Sequence, residues 1–270
     1  MASAPPRNRF ARSTLTRLLS DLAQVDLPEP PLTVAERLGP WLEWTDAIAL
    51  STALQAPASA VQASAGLAAR AARAAADELA RVRSTLSRAI TSDEVLAAQP
   101  AVVAGAVAGA GAVEPLTDFT PLRLRCQQHQ RAMTAALGPL RQRVRAALGV
   151  ASPPLARLAA LDAVLDDALA QRERHALGRV PALLERHAER LGQPGQAQLD
   201  WVSATAGAAP DVASLGATVQ RVLLAELDIR LKPIEGMMEA LKQANAGAAT
   251  AATAADSPVA PTPAAPGDRP

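Results

Sequence analysis

Tyrosine is absent from this sequence, and phenylalanine occurs only as Phe10 and Phe119, beside Trp41, Trp44 and Trp201. Sheets draw on aromatic and β-branched residues, so this depletion argues against any sizeable β-structure. Cysteine is down to Cys126, which excludes an internal disulfide and fits a reducing cytoplasm, where we expect the chain to work. Lysine is nearly missing: Lys232 and Lys242 are the only two among 27 basic residues. Such Ala/Arg-rich, Lys-poor usage is the coding bias of a bacterium with a GC-rich genome. The formal charge of +1 leaves no global field directed at nucleic acid or a membrane. Long apolar runs are missing too. The most apolar stretch, 101–113, is broken by Gly105, Gly109 and Gly111 and falls well short of the ~20 residues of a membrane span. Arg7, Arg9, Arg12 and Arg17 superficially resemble a mitochondrial presequence, but read more simply as a basic arm entering a first helix.

What is present is alanine, which supplies roughly half of the 49% hydrophobic residues. Alanine favours helix strongly and buries little area, so the fold class is all-α with a thin core. The apolar spacing predicts a helical bundle with a long central antiparallel αα-hairpin. Residues 1–12 form a disordered arm, 13–90 the N-terminal helices, and 91–119 an Ala/Gly-rich linker with at most a helical turn near Asp93. Residues 120–244 hold the hairpin and a last helix, and 245–270 a disordered Ala/Pro/Thr tail.

Punctuation supports that division. Ser13 caps a helix carrying Leu15, Leu18, Leu19, Leu22 and Val25. Thr33 and Glu36 match a capping box before a helix through Trp41, Leu42, Ile48 and Leu54, kinked at Gly39-Pro40. A third helix opens at Pro57 and reaches Ile90. Thr120-Pro121 starts a helix whose Leu122, Cys126, Met133, Leu137, Leu140, Val144 and Leu148 form a coiled-coil-like seam. Gly138-Pro139 should bend it. Ser152-Pro153-Pro154 turns the chain back into a seam of Leu155, Leu158, Leu161, Leu165 and Leu169. After a break near Gly178–Pro181 and a loop holding Trp201, Asp211 caps a last helix that Pro233 interrupts. Its apolar side runs from Val212 to Leu241 and includes Ile229.

Catalytic constellations are hard to find. Cys126 and His129 share a face but lack further metal ligands at the right spacing, so a core thiol beside an edge histidine is the simpler reading. Asp162, Asp166 and Asp167 continue an alternating-sign pattern with Arg157, Arg172 and Glu173 and read as a charged exterior. The sequence offers no phosphate-binding loop or nucleophile elbow, and we assign no catalytic residue, metal or cofactor.

The sharper feature is the stretch from Pro121 to Gly149, with six arginines and no acid. Arg123, Arg131, Arg141 and Arg145 fall on one flank of the apolar seam and are candidate interaction residues. Exposed, they would suit an acidic partner or an anionic surface; alternatively, Asp162, Asp166 or Asp167 neutralise them across the hairpin, the reading we favour slightly. Trp41 belongs to the apolar stripe and should be core. Trp44 is either core or an exposed interface anchor, and is the fifth candidate.

The segments Ala35–Gly39, Trp41–Ile48, Leu158–Asp162, Val180–Arg186 and Leu224–Leu227 resemble an uncharacterised family of GC-rich proteobacteria. The resemblance covers most of the chain outside the tails and the Ala/Gly stretch. It implies no activity, cofactor or catalytic residue; the genes near such members imply a tie to an envelope-associated assembly. These readings together suggest a cytoplasmic, non-enzymatic adaptor or scaffold that packs helices against a protein partner or another copy. The alternative is a granule- or membrane-surface-coating protein of the phasin-like kind, touching membranes only peripherally, and sequence-specific nucleic-acid binding is not expected.

Overall fold

The computed structural model describes residues 13–25, 36, 38–55, 64–97, 119–191 and 215–255. Among them the chain forms helices and turns and no strand: α1 (Thr14–Ala23), a 3₁₀ turn (Gly39–Trp41), α2 (Trp44–Gln55), α3 (Ala65–Thr91), α4 (Glu94–Ala97), α5 (Thr120–Ala151), α6 (Pro153–Gly178), α7 (Val180–Leu191) and α8 (Leu215–Ala255). The expected capping box at Thr33, helix start at Pro57, Trp201 loop and Asp211 cap lie outside the described residues. So do the arm 1–12, most of the 91–119 stretch and the tail beyond 255.

Helix α5 is the axis of an all-α bundle. All seven apolar residues of its expected seam are buried, because their three-, four- and seven-residue spacing puts them on one stripe. Pro121 sits in the first turn, where its missing N–H would have no partner anyway. Pro139 lies inside α5 and Pro233 inside α8, yet both helices run on through them; the expected interruption at Pro233 does not occur. An interior proline costs about 3 kcal/mol, and here the packing on both sides of it outweighs that cost.

Cross-helix contacts set the directions. Arg143 of α5 meets Glu78 of α3, and His129 meets Asp93, so α3 and α5 are antiparallel. Gln130 and Thr134 of α5 meet Glu226 and Arg230 of α8, so α5 and α8 are parallel. Ser152 alone separates α5 from α6, which turns back as the expected antiparallel hairpin. Helix α6 also contacts α8, and α2 packs on α6. At the other end α1 packs on α7 and α8. Ser13 caps α1 as expected, its Oγ accepting from the Thr16 amide at 3.1 Å. Gln24 ends α1 in the left-handed region at φ 53°, where Arg190 of α7 donates to its side-chain oxygen at 3.0 Å.

The helical turn expected near Asp93 is α4: Asp93 caps it, its Leu96 is fully buried against α5 and α8, and Phe119 is buried too. Two expectations change. Helix α8 passes the expected boundary at 244 and reaches Ala255, since alanine sustains helix without tertiary help better than any other residue. On α6 only Leu155, Ala159 and Asp162 are buried; Leu158, Leu161, Leu165 and Leu169 are half-buried, as a helix on the flank of the bundle rather than inside it.

Leu140 is almost completely buried at the centre of α5, whereas Leu124 on the same helix is half exposed. Leu140→Ala should lower unfolding free energy by about 2–5 kcal/mol, and Leu124→Ala by no more than about 0.5 kcal/mol. Urea denaturation followed by circular dichroism checks the pair; equal midpoints would mean that α5 does not face the core as described.

Candidate functional site

Four of the five candidate residues lie on α5, and the structure disperses them. Arg141 donates from Nε and Nη2 to both carboxylate oxygens of Asp162 at 2.8 and 2.6 Å, and from Nη1 to Asp166 at 2.6 Å. Arg145 reaches Asp162 at 2.7 Å through Nε and Asp166 at 2.7 Å through Nη2. Asp162 and Asp166 lie one turn apart on α6, as Arg141 and Arg145 do on α5, so the antiparallel hairpin brings two forks onto two carboxylates. Arg123 pairs instead with Glu185 of α7 at 3.2 Å, both partly exposed. Arg131 is exposed and has no ion pair among the described residues.

Two of the four flank arginines, Arg141 and Arg145, are therefore internal, and the reading of Asp162 as charged exterior is overturned. Asp162 is buried at the hairpin interface, where its charge has direct partners. Burial alone would raise its carboxyl, but the hydrogen bonds and positive charges of Arg141 and Arg145 hold it below the usual carboxylate range. Burial would likewise lower Arg141, and the two aspartates raise it instead. Asp167 is exposed and takes no part.

Two further buried polar clusters escaped the sequence reading. Glu226 of α8 is fully buried; one oxygen accepts from Arg230 at 2.8 Å and the other from Gln130 at 2.9 Å. Gln130 also donates to the Leu177 carbonyl at the end of α6, so one amide ties three helices. The signal was there, since Glu226 and Arg230 occupy seam positions between Leu223 and Ile234, while Ile229, expected in the seam, is exposed at its edge. Asp93 is the other centre. Its Oδ1 caps the Val95 and Leu96 amides, and His129 Nε2 and Arg125 Nε each lie 2.7 Å from Oδ2. The Arg125 contact is an ion pair whose angle is too poor for a hydrogen bond. Burial would raise the Asp93 carboxyl, and His129, Arg125 and the Leu96 amide outweigh it and keep it low. His129 thus has a carboxylate partner, and Cys126, deep in the core, has its thiol pushed up to about 12 by burial and by the charge of Glu226.

A cavity of about 410 Å³ opens between α5, α6 and α8 beside Trp41. Of its charged walls, Arg141, Asp166, Glu173 and Arg230 are engaged in ion pairs and Arg172 donates to the Pro40 carbonyl, while Arg174 has no ion pair among the described residues.

The fifth candidate stands apart. Trp44 is 80% exposed, and Ile48 and Leu54 on the same helix are 51% and 56% exposed. Trp41, expected in the core, is 49% exposed. On a helical projection Trp44, Ala47, Ile48, Ser51 and Leu54 share an arc of about 120°, and every one is exposed. The opposite side holds the buried Ala53 with half-buried Ala49 and Leu50 and is turned to α6. Asp46 fixes where the helix starts, accepting from the Glu43 amide at 2.9 Å as the reciprocal half of a capping box. A helix apolar on both sides is normally buried on both. Among the described helices α2 has a close neighbour on one.

A family model described as "Protein of unknown function (DUF3348)" matches residues 1–243. No curated protein and no solved structure matches the chain.

Asp162 and Asp93 are held below the ordinary value of 3.8, so their contribution is fully present above that pH and is lost as pH falls through the folded-state values. Acid titration of stability should show a steep loss below about pH 4, and Asp162→Asn should flatten it. The same variant should cost about 3 kcal/mol at pH 7, as does removing one partner of a buried ion pair. Arg131→Gln should change stability by less than about 0.5 kcal/mol. A pH profile unchanged in Asp162→Asn would remove this cluster from the account.

Proposed function

The chain belongs to the DUF3348 family, whose description assigns no activity, and we propose from its surfaces that it is a non-enzymatic helical adaptor or scaffold that docks a protein partner through the outer face of α2. The observation that carries this reading is the exposure of Trp44, Ile48 and Leu54 together on one helical arc. Water-exposed apolar side chains on a common face mark interaction surfaces, and tryptophan is the residue most enriched at their energetic centres. The charged groups of the interior favour a structural role for those residues. Arg141, Arg145, Asp162, Asp166, Glu226 and Asp93 each have a charged partner across or along a helix, and the raised Cys126 thiol stays protonated.

The surface-coating alternative uses the same exposed face. Interfacial helices, however, flank their apolar face with lysine and arginine, whereas α2 carries only Asp46, with Glu43 just before it. That sign favours a protein partner over an anionic membrane. No helix of the described residues is long and apolar enough to cross a membrane, and the cytoplasmic setting is part of the proposal.

A photo-crosslinking residue in place of Ser51, at the middle of the exposed arc, tests the reading in the native host. It should capture a protein species, and Trp44→Asp/Ile48→Asp should abolish capture while the melting temperature stays within a few degrees. Flotation of the purified chain with anionic or apolar particles, without any protein crosslink, would replace this reading with the coating alternative.

A further inference from the structure

A second unpartnered surface lies on another side of the bundle. The α5/α8 seam is covered by α6, but part of the antiparallel α3/α8 seam forms an open groove of about 980 Å³, lined only by those two helices among the described residues. Its α3 wall is mostly alanine: Ala69, Ala72, Ala76 and Ala80 follow one another at three- and four-residue spacing, with Leu79 among them and Arg73 and Arg83 at its edges, next to the Ala68, Ala75 and Val82 stripe that faces the core. Met238 and Leu241 form the apolar part of the α8 wall.

We infer that this groove receives the outer face of α2 from a second copy of the chain, so that the protein self-associates through its two otherwise uncovered apolar surfaces. The inference rests on the reading of α2 as a docking helix and names its occupant. Three features match. The first is size: Trp44, Ile48 and Leu54 are large knobs without holes, and the alanines of the α3 wall leave holes around its one larger apolar side chain, Leu79. The second is length: twelve residues make α2 about 18 Å long, while the groove runs about 21 Å along α3 from Ala69 to Arg83 and about 15 Å along α8 from Glu235 to Asn245. The third is charge. At one end of the groove Arg73 and Lys242 have no ion pair among the described residues, at the other Arg83 is already paired with Glu235, and Glu239 between them accepts from Gln243. The acids Glu43 and Asp46 sit at the start of α2. Matching them to Arg73 and Lys242 fixes the polarity, with α2 of one copy running parallel to α3 of the other.

The contact joins two different patches. Made twice about a twofold axis it closes as a dimer; made once it propagates. A buried tryptophan removes roughly 150–250 Å², and with Ile48, Leu54 and the facing groove, counted for both contacts, a closed dimer reaches the ~1,200–2,000 Å² of stable interfaces.

The test uses the full chain. Light scattering should give the wild type a mass at least twice the 27.8 kDa of one copy. Trp44→Asp/Ile48→Asp, which blocks the helix, and Ala76→Arg, which fills the groove, should each reduce that mass to one copy without lowering the melting temperature. Mixing the two variants should restore one contact and with it a mass of two copies, because each retains the surface the other lacks. Oxidation of Ser51→Cys mixed with Ala80→Cys should give a covalent pair in the predicted polarity, and neither variant alone should. A monomeric wild type, oligomers that survive both variants, or an intrachain disulfide as the only product in the doubly substituted chain would each overturn the inference. If the wild type is a monomer but position 51 still captures another protein in the host, self-association fails and the docking reading stands; if position 51 captures nothing, both fail.

Discussion

Arg141 and Arg145 of α5 close on Asp162 and Asp166 of α6, and the position of the surface we assign to docking follows from that closure. Helix α2 packs on α6, and Arg172 of α6 donates to the Pro40 carbonyl in the turn just before α2. The register of the hairpin therefore decides where Trp44 and Ile48 are presented. A buried ion pair contributes little net stability compared with well-packed apolar residues, but removing one partner is severe. Its effect here is on register: sliding α6 by one turn would leave an aspartate and an arginine buried without partners.

Such a device matters more in an alanine-rich bundle than elsewhere. Large, varied core side chains interdigitate in one way, and a misregistered pair of helices clashes or leaves voids. Where a stripe is alanine, as along the first half of α3, a shift of three or four residues changes its packing little, and groups whose unsatisfied state is costly add discrimination to that of the larger core side chains. The Glu226–Arg230–Gln130 cluster does this for α8 against α5 and α6, and the Asp93 cap with His129 and Arg125 does it for α4 against α5. The Asp93 and Glu226 clusters meet α5 at the adjacent His129 and Gln130 and the hairpin cluster meets it at Arg141 and Arg145, each holding a different set of neighbours.

The same composition explains why two surfaces remain uncovered. Helix α3 buries Ala68, Ala75, Val82, Leu86 and Ile90 against the core and is left with a stripe of mostly small residues on its flank, too shallow to demand a partner within the chain. Helix α2 has the reverse problem, with large apolar residues on the side away from α6. Both surfaces are consistent with a molecule whose stability resides in α3, α5, α6 and α8 and whose α2 is held for contact with something else.

Periodicity and punctuation alone determined the all-α class, the buried stripe of α5, the antiparallel return at Ser152, the Ser13 cap and the break near Arg179. Each is a local consequence of side-chain spacing or of a residue's effect on its own backbone. The opposite charges of the two hairpin helices already suggested internal neutralisation. Which arginines would be neutralised was another matter, because Arg123 and Arg131 share the same helical flank as Arg141 and Arg145 and differ only in what lies across from them. The burial of Glu226 and Asp93 and the exposure of Trp41, Ile48 and Leu54 were likewise decided by the tertiary structure. An apolar stripe on a short helix shows that a face wants covering, but whether a neighbour covers it depends on where the rest of the chain has gone.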